Sequence, residues 1–328
     1  MRRREFITIV GSTVATWSLT ARAQQPELPV VGFVSTQSAD TSTRRAAAFR
    51  KGLNESGYFE NQNVTVEYHW LDSQYERLPS LIADLVSRRV TIIATPSNAT
   101  VAIAAKAGTS TIPIVFGLGE DPVKLGLVAS LARPGGNATG INIFLAEIVA
   151  KRLGLLHDLV PRALRVAVLV NPANAPNTEA TLRDIPEAAH ALGLQIQVLN
   201  ASNNREIEAA FAILVRDRVD ALFVAPDGLF STRRVQFATL AARYAIPASY
   251  PTREVVEVGG LMRYGTDILE MYRQVGVYTG HILKGANPAD LPVLQSTKFE
   301  LVINLQTARA LGIEVPNALL LVADEVIE

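Results

Sequence analysis

The sequence predicts two α/β lobes, each a Rossmann-like, doubly wound parallel sheet, joined by a hinge. Three observations predict it. Short β-branched runs alternate with amphipathic helical stretches, the pattern of a parallel sheet covered on both faces. The alternation runs through once and then again at similar spacing. And 328 residues are too many for one core of ordinary size and comfortable for two.

The first series begins with VVGFVST after Pro29, followed by NVTVEYHW ending at Trp70, VTIIAT ending at Thr95 and IPIVF ending at Phe116. TSTRRAAAFRKGLNESG, YERLPSLIADLVSRR and NATVAIAAKAG lie between them, each with apolar positions at helical spacing. Asp40-Thr41-Ser42 is a candidate N-cap, and Gly57 and Gly108 are candidate C-caps. The second series is RVAVLVNP from Arg165, LQIQVLNA, DALFVAPD and AIPASYP. Its helices are expected from about Thr178 to Leu192, Asn204 to Arg216 and Ser231 to Tyr244. Strand starts near 30, 64, 91 and 112 thus match starts near 165, 195, 221 and 246. Ile-Pro opens the fourth strand of both series, at Ile112-Pro113 and Ile246-Pro247, where proline costs no ladder bond.

After these units, LMRYGTDILEMYRQVGVYTGHILKG reads as a strand and a long helix, and LPVLQSTKFELVINLQTARALG as an extended return and a short helix. Crossings between lobes are expected around 141–146, 261–267 and 288–295. The first lobe is then 28–142 plus about 265–290, and the second 143–264 plus about 291–328.

The N-terminus, MRRREFITIVGSTVATWSLTARAQQ, has a basic end, an apolar middle and a small-residue site at Ala21-Arg22-Ala23. That is the layout of an export signal over residues 1–23. Its apolar run is too short and polar for a spanning helix, which needs roughly 20 apolar residues. Arg3-Arg4-Glu5-Phe6-Ile7 resembles the twin-arginine signal, with general secretory export as the alternative. Lys+Arg and Asp+Glu both total 31, and removal of the signal takes four arginines and one glutamate, leaving a mildly acidic chain. No basic patch points to nucleic acid and no polybasic stretch to a membrane surface. With no cysteine, disulfides, thiolate catalysis, Cys-ligated metals and a lipid-anchored cysteine are excluded. An exported chain without an anchor is expected in the periplasm.

Catalytic patterns are sparse. His69, His157, His190 and His281 are scattered, with no HExxH and no pair at i, i+4, and no G-x-S-x-G elbow occurs. The lone Gly32 of VVGFVST makes neither a dinucleotide fingerprint nor a P-loop. GLGEDP and RPGGNATG read as turns. No cofactor, metal or catalytic residue is expected.

The ends of the expected strands instead carry hydrogen-bonding and aromatic residues. Ligands of open parallel sheets bind beyond the carboxyl ends of the strands, and two facing lobes would share one closable cleft. Ser35 and Thr36 follow the first strand, Trp70 ends the second, Thr95 and Ser97 follow the third and Phe116 the fourth. In the second series Asn171, Asp227 and Tyr250 hold the corresponding places. Hydroxyls and free amides at a helix start suit a carboxylate, Asp227 suits an ammonium, and Trp70, Phe116 and Tyr250 suit an apolar or aromatic body. Capping and core packing are the competing uses of the same residue types.

RRREFI with ARAQQP, VVGFVST, ESGYFENQNVTVEYHW, YERLPSLIADLV, STIPIVF, DPVKLGLVASLARPGGNATGI, RVAVLVNP, YRQVGVYTGHILKG, ADLPVLQSTKFELVINLQTARALGI and ADEVIE span nearly the whole chain. On these stretches the sequence resembles the substrate-binding components of ABC importers, tryptophan/tyrosine-type. The resemblance implies a type I periplasmic-binding-protein-like fold with three crossovers. It also implies a non-catalytic solute receptor that delivers its cargo to an ABC permease and ATPase in the inner membrane; a monomer is the expectation for a protein that docks singly on a transporter. It places Ser35, Thr36, Thr95 and Ser97 at the ligand carboxylate and Asp227 at the amine. The stretch DGLFSTRR departs from the amino-acid binders, so an amino acid, an aromatic acid and another small carboxylate all stay open. A sensory binding protein for a chemoreceptor or sensor kinase and an exported enzyme using the same cleft are the alternative readings.

Overall fold

The computed structural model describes residues 28–96, 98–143, 145–295 and 299–328, and of residues 145–147 the backbone alone. The expected export signal and the expected site residue Ser97 lie outside the described residues. No helix among them is long and apolar enough to cross a membrane.

The first lobe contains β1 (Val30–Ser35), α1 (Thr43–Glu55), β2 (Thr65–Trp70), α2 (Leu78–Ser87), β3 (Ile92–Thr95), α3 (Ala99–Gly108), β4 (Ile114–Leu118) and β5 (Ala138–Asn142). The second contains α4 (Leu145–Leu159), β6 (Arg165–Val170), α5 (Ala175–Ala191), β7 (Gln195–Asn200), α6 (Asn204–Arg216), β8 (Ala221–Val224), α7 (Gly228–Thr232), α8 (Arg234–Arg243), β9 (Ala248–Tyr250), α9 (Arg253–Glu257) and β10 (Met262–Thr266). The chain then gives α10 (Ile268–Leu283) and β11 (Leu294–Gln295) to the first lobe. It ends in the second with β12 (Phe299–Asn304), α11 (Leu305–Ala310), α12 (Asn317–Val322) and β13 (Glu325–Ile327).

The sheets are ordered β11-β5-β4-β3-β1-β2 and β13-β12-β10-β9-β8-β6-β7. Every strand pair of the first is parallel; in the second, β12 runs antiparallel to β10. Returning from the other lobe, the chain enters the sheet from the opposite end, and that reverses the pair. Apolar clusters cover both faces of each sheet. The two Ile-Pro prolines immediately precede β4 and β9, and their carbonyls accept from Ile93 N (2.9 Å) and Leu222 N (2.8 Å). The proline thus serves the ladder with its carbonyl while its missing N–H costs nothing.

Of the elements that depart from the pattern read in the sequence, β5 and α4 flank the first crossing. β5 falls inside the glycine-rich RPGGNATGI, where only a turn was expected. Gly140 stands there because a Cβ would overlap the Phe116 backbone of β4; close backbone approach is what a strand glycine marks. α4, directly after the first crossing, had no expected counterpart.

The chain leaves the first sheet after Asn142, the second after Thr266 and the first again after Gln295. The third crossing therefore falls later than 288–295, because Leu294 and Gln295 pair with Ile141 and Asn142. The expected return to the second lobe near 291 is corrected accordingly. Helix α10 is bound to the first lobe by its packing on α1. A Cβ at Gly276 would overlap the Phe49 carbonyl, and one at Gly52 the Arg273 carbonyl, so the helices touch backbone to backbone.

Candidate functional site

The carboxyl ends of both sheets face one cleft, which encloses ≈ 810 Å³ including the solvent at its mouth. Its walls come from the loops just past the strands. The first lobe contributes Gln37 after β1, Pro96 and Asn98 after β3, Gly119 and Glu120 after β4, and Ile143 after β5. The second contributes Asn174 after β6, Pro226, Asp227 and Gly228 after β8, Thr252 after β9, and Gly265 and Thr266 of β10. Apolar surface comes from Leu118, Ile148, Ile268, Met271 and the ring of Tyr264, which stacks on Phe299 (centroids 5.9 Å apart).

Asp227 is the polar centre of the second-lobe wall. As N-cap of α7 it accepts from Leu229 N at 2.9 Å, and Asn171 Nδ2 donates to the same Oδ1 at 3.0 Å. Asn174 Nδ2 donates to Oδ2 at 3.0 Å, and the Tyr75 hydroxyl of the first lobe reaches Oδ2 at 3.4 Å. Asn98, which caps α3 through Val101 N, donates its amide to that same hydroxyl at 3.4 Å. Burial pushes the Asp227 carboxyl up from its ordinary value, opposed by the Asn171 and Asn174 amides. Tyr75 is raised by burial and then by Asp227.

Further bonds join the lobes: Thr100 Oγ1 to Asn174 Oδ1 (3.3 Å), Arg45 to Glu254 (3.3 Å) and Arg44 to Glu257 (3.2 Å). A Cβ on Gly228 would press on the Thr36 hydroxyl. The lobes are therefore closed on one another.

Three buried charged groups line the cleft beside Asp227. Arg45 of α1 holds Glu254 with one terminal nitrogen while its Nε has no partner. Glu120 takes Gly119 N at 3.2 Å on Oε2; its Oε1 has no partner, and burial pushes the carboxyl up. Arg152 of α4 donates to the Val224 carbonyl at 2.6 Å and lies 3.7 Å over the Phe223 ring. Burial, and then the charge of Arg263, lower its guanidinium to about 9. Arg263 itself holds the second crossing, donating to the carbonyls of Gly265 (3.0 Å) and Thr266 (2.6 Å).

Of the residues expected at the site, Asp227 lines the cleft and Asn171 supports it from behind. Ser35, Thr36 and Thr95 are fully buried at the ends of β1 and β3, one layer back from the lining. Ser35 Oγ accepts from Gln37 N at 3.3 Å, and Thr95 Oγ1 has no partner. The expected aromatic sandwich is corrected. Phe116 belongs to the apolar core of the first lobe and Tyr250 to that of the second, where it meets Phe237 edge-on at 6.3 Å. Trp70 stacks on Tyr68 at 6.0 Å and leans on Phe33 at 5.5 Å. Strand side chains alternate between the two faces, so a ring within or at the end of a strand enters a helix-covered layer instead of the cleft. Tyr264 and Met271 supply the apolar lining that these three do not.

Gln37, Asn98 and Asn174 sit two to four residues beyond the ends of β1, β3 and β6, a signal the sequence does carry. Glu120 hides in GLGEDP, where glycines suggest only a turn. No local pattern marks Arg152, which comes from the unexpected helix α4.

The pattern of one protein family, ABC transporter substrate binding protein, matches residues 27–327. A tyrosine-binding protein of Clostridioides difficile is 28% identical over 269 residues, covering 81% of this chain and 76% of that protein. An ABC domain from Streptococcus pneumonia, solved in complex with L-Trp, is 23% identical with TM-score 0.82, over 92% of this chain and 100% of that one. A ligand-free, open substrate binding protein with adhesive properties from Clostridium difficile is 24% identical with TM-score 0.63, over 92% of this chain and 99% of that one. Two parallel-dominated sheets with three crossovers make this the type I periplasmic-binding-protein fold. By sequence across its length and by architecture, the chain belongs to the ABC transporter substrate binding protein family.

Proposed function

We propose that this protein captures a small amino-acid-like or other carboxylate-bearing solute in the interlobe cleft and hands it, unaltered, to an ABC permease and its ATPase for import. The observation that carries the reading is the Asn98–Tyr75–Asp227 chain, which runs from one lobe to the other beside the cleft that Asn98 and Asp227 line. An aromatic amino acid is the leading candidate, because the tyrosine-binding relative and the L-Trp complex share the family and the fold. In this scheme Asp227 meets the solute's ammonium in place of the Tyr75 hydroxyl. The turns after β1 and β3, with Gln37 and Asn98 in the lining, meet its carboxylate, and Ser35, Thr36 and Thr95 back them from the buried layer behind. The protein acts in the periplasm as a monomer, exported by residues 1–23.

A thermal-shift and calorimetry screen over L-tyrosine, L-tryptophan, aromatic acids and small carboxylates tests it. A stabilising, saturable compound that is recovered unchanged is expected, since binding to the native state raises Tm by mass action. Silence from every compound, or conversion of one of them, overturns the reading.

A further inference from the structure

Three arginines are buried at or beside the cleft, and two have a carboxylate. Arg45 holds Glu254 at 3.3 Å, and Arg263 holds Glu300 at 3.0 Å. Arg152 has none among the described residues. It is 1% exposed, its Nε has no partner, and its only contacts of this kind among the described residues are to the Val224 carbonyl and the face of Phe223. A buried guanidinium normally finds a carboxylate or another oxyanion, because a carbonyl and a ring replace only part of its lost hydration. The acids that share its cavity do not fill the gap. Glu120 and Asp227 bond elsewhere, and burial favours the neutral form of both.

Arg152 lies beside Arg263, which is anchored to the second crossing, and the lining near it includes Tyr264 and Ile148. The cavity therefore joins a hydrogen-bonding wall at Asp227, an apolar waist and an uncompensated cation. From this placement we infer that Arg152 forms a second anion subsite, and that the solute carries an acidic group besides the one an amino acid already has: a dicarboxylic or carboxyaryl compound. The inference rests on the receptor reading above and narrows its substrate class. A carboxylate meets the guanidinium at the terminal nitrogen that the Val224 carbonyl leaves free, in a charge-assisted bond. The carbonyl of Val224 and the ring of Phe223 then fix the guanidinium's orientation.

Matched pairs differing by one acidic group supply the test: L-glutamate and L-glutamine, 4-carboxy-L-phenylalanine and L-phenylalanine, terephthalate and benzoate. Each is titrated calorimetrically into the purified protein and into Arg152→Met, with L-tyrosine and L-tryptophan alongside. In at least one pair the acidic member is expected to bind tenfold or more tightly than its neutral partner. Arg152→Met should remove that preference, weakening the acidic member at least tenfold more than its neutral partner. If Arg152→Met does not fold, the pairs read on the unsubstituted protein decide alone. Binding of L-tyrosine, L-tryptophan or neutral members with no preference for an acidic partner overturns the inference and leaves the receptor reading standing. So does a preference that survives Arg152→Met. Silence from every compound overturns both.

Discussion

Replacing Asp227 by alanine removes a helix cap and two buried bonds in one step. The cap of α7 at Leu229 N is worth about 1 kcal/mol. Asn171 and Asn174 each lose a 3.0 Å acceptor inside a buried wall, and a buried donor left unpaired costs about 1–3 kcal/mol. The three losses overlap, so the expected destabilisation is about 3–5 kcal/mol. For a lobe of this size that lowers Tm by roughly 10 °C. Asp227→Asn keeps one acceptor oxygen for Leu229 N and Asn171 but turns an amide towards Asn174 and Tyr75, and should cost about half as much. Thermal unfolding of the ligand-free proteins gives the ranking. Calorimetry with L-tyrosine then separates stability from binding, because loss of a charge-assisted bond to the ammonium weakens affinity by about 1.5–3 kcal/mol in both variants. A ligand-free Asp227→Ala protein melting within about 2 °C of the parent would refute the idea that Asp227 organises the wall. An unchanged affinity would remove it from the solute.

Glu120→Gln is expected to raise Tm at pH 8 and to leave it unchanged near pH 4. Burial raises the folded-state carboxyl above its ordinary 4.5, so the protonated form is the one folding favours. Its contribution is present below 4.5 and lost as pH rises through the folded value, a loss the permanently neutral glutamine does not suffer; a glutamate more stable than glutamine at pH 8 would contradict this. Gly276→Leu should cost more than about 3 kcal/mol or prevent folding, since its side chain must displace the Phe49 backbone of α1, whereas Gly285→Ala, at a positive φ of 98° with open space around it, should cost about 1 kcal/mol. Urea unfolding compares the two. Glu254→Gln leaves the buried Arg45 without its partner across the lobes. Small-angle scattering should then show a larger radius of gyration without ligand, and an unchanged radius would mean that the pair does not hold the lobes together. Deleting residues 1–23 should leave folded protein in the cytosol, read by fractionation.

The strands were legible where composition and periodicity agree. Runs such as VVGFVS and RVAVLV are buried on both faces and therefore read as continuous β-branched stretches. β5 was not, because ATGIN trades side-chain bulk for close approach to β4, and its glycine reads as a turn. The expected strand-end site was legible in place but not in side chains. Tyr250 ends β9 and Phe116 lies two residues before the end of β4, yet which layer such a ring enters depends on pleat and register, a property of the whole sheet. The residues that reach the cleft, such as Asn98, Glu120 and Asn174, belong to turns whose geometry exists only once both neighbouring strands are placed. Arg152 is the extreme case: the helix that carries it is set by the crossing, and the guanidinium acquires meaning only beside Phe223, Val224 and Arg263.

The most direct test of the closing cleft is a reversible lock across it. The chain has no cysteine of its own, and Thr100 and Asn174 meet across the lobes at 3.3 Å. Thr100→Cys with Asn174→Cys places the only two thiols there. If solute enters between the lobes, protein oxidised empty should take up none of the best-binding compound of the screen, protein oxidised with the compound present should retain it through gel filtration, and reduction should release it. Equal binding by the oxidised empty protein and its reduced form would contradict the account.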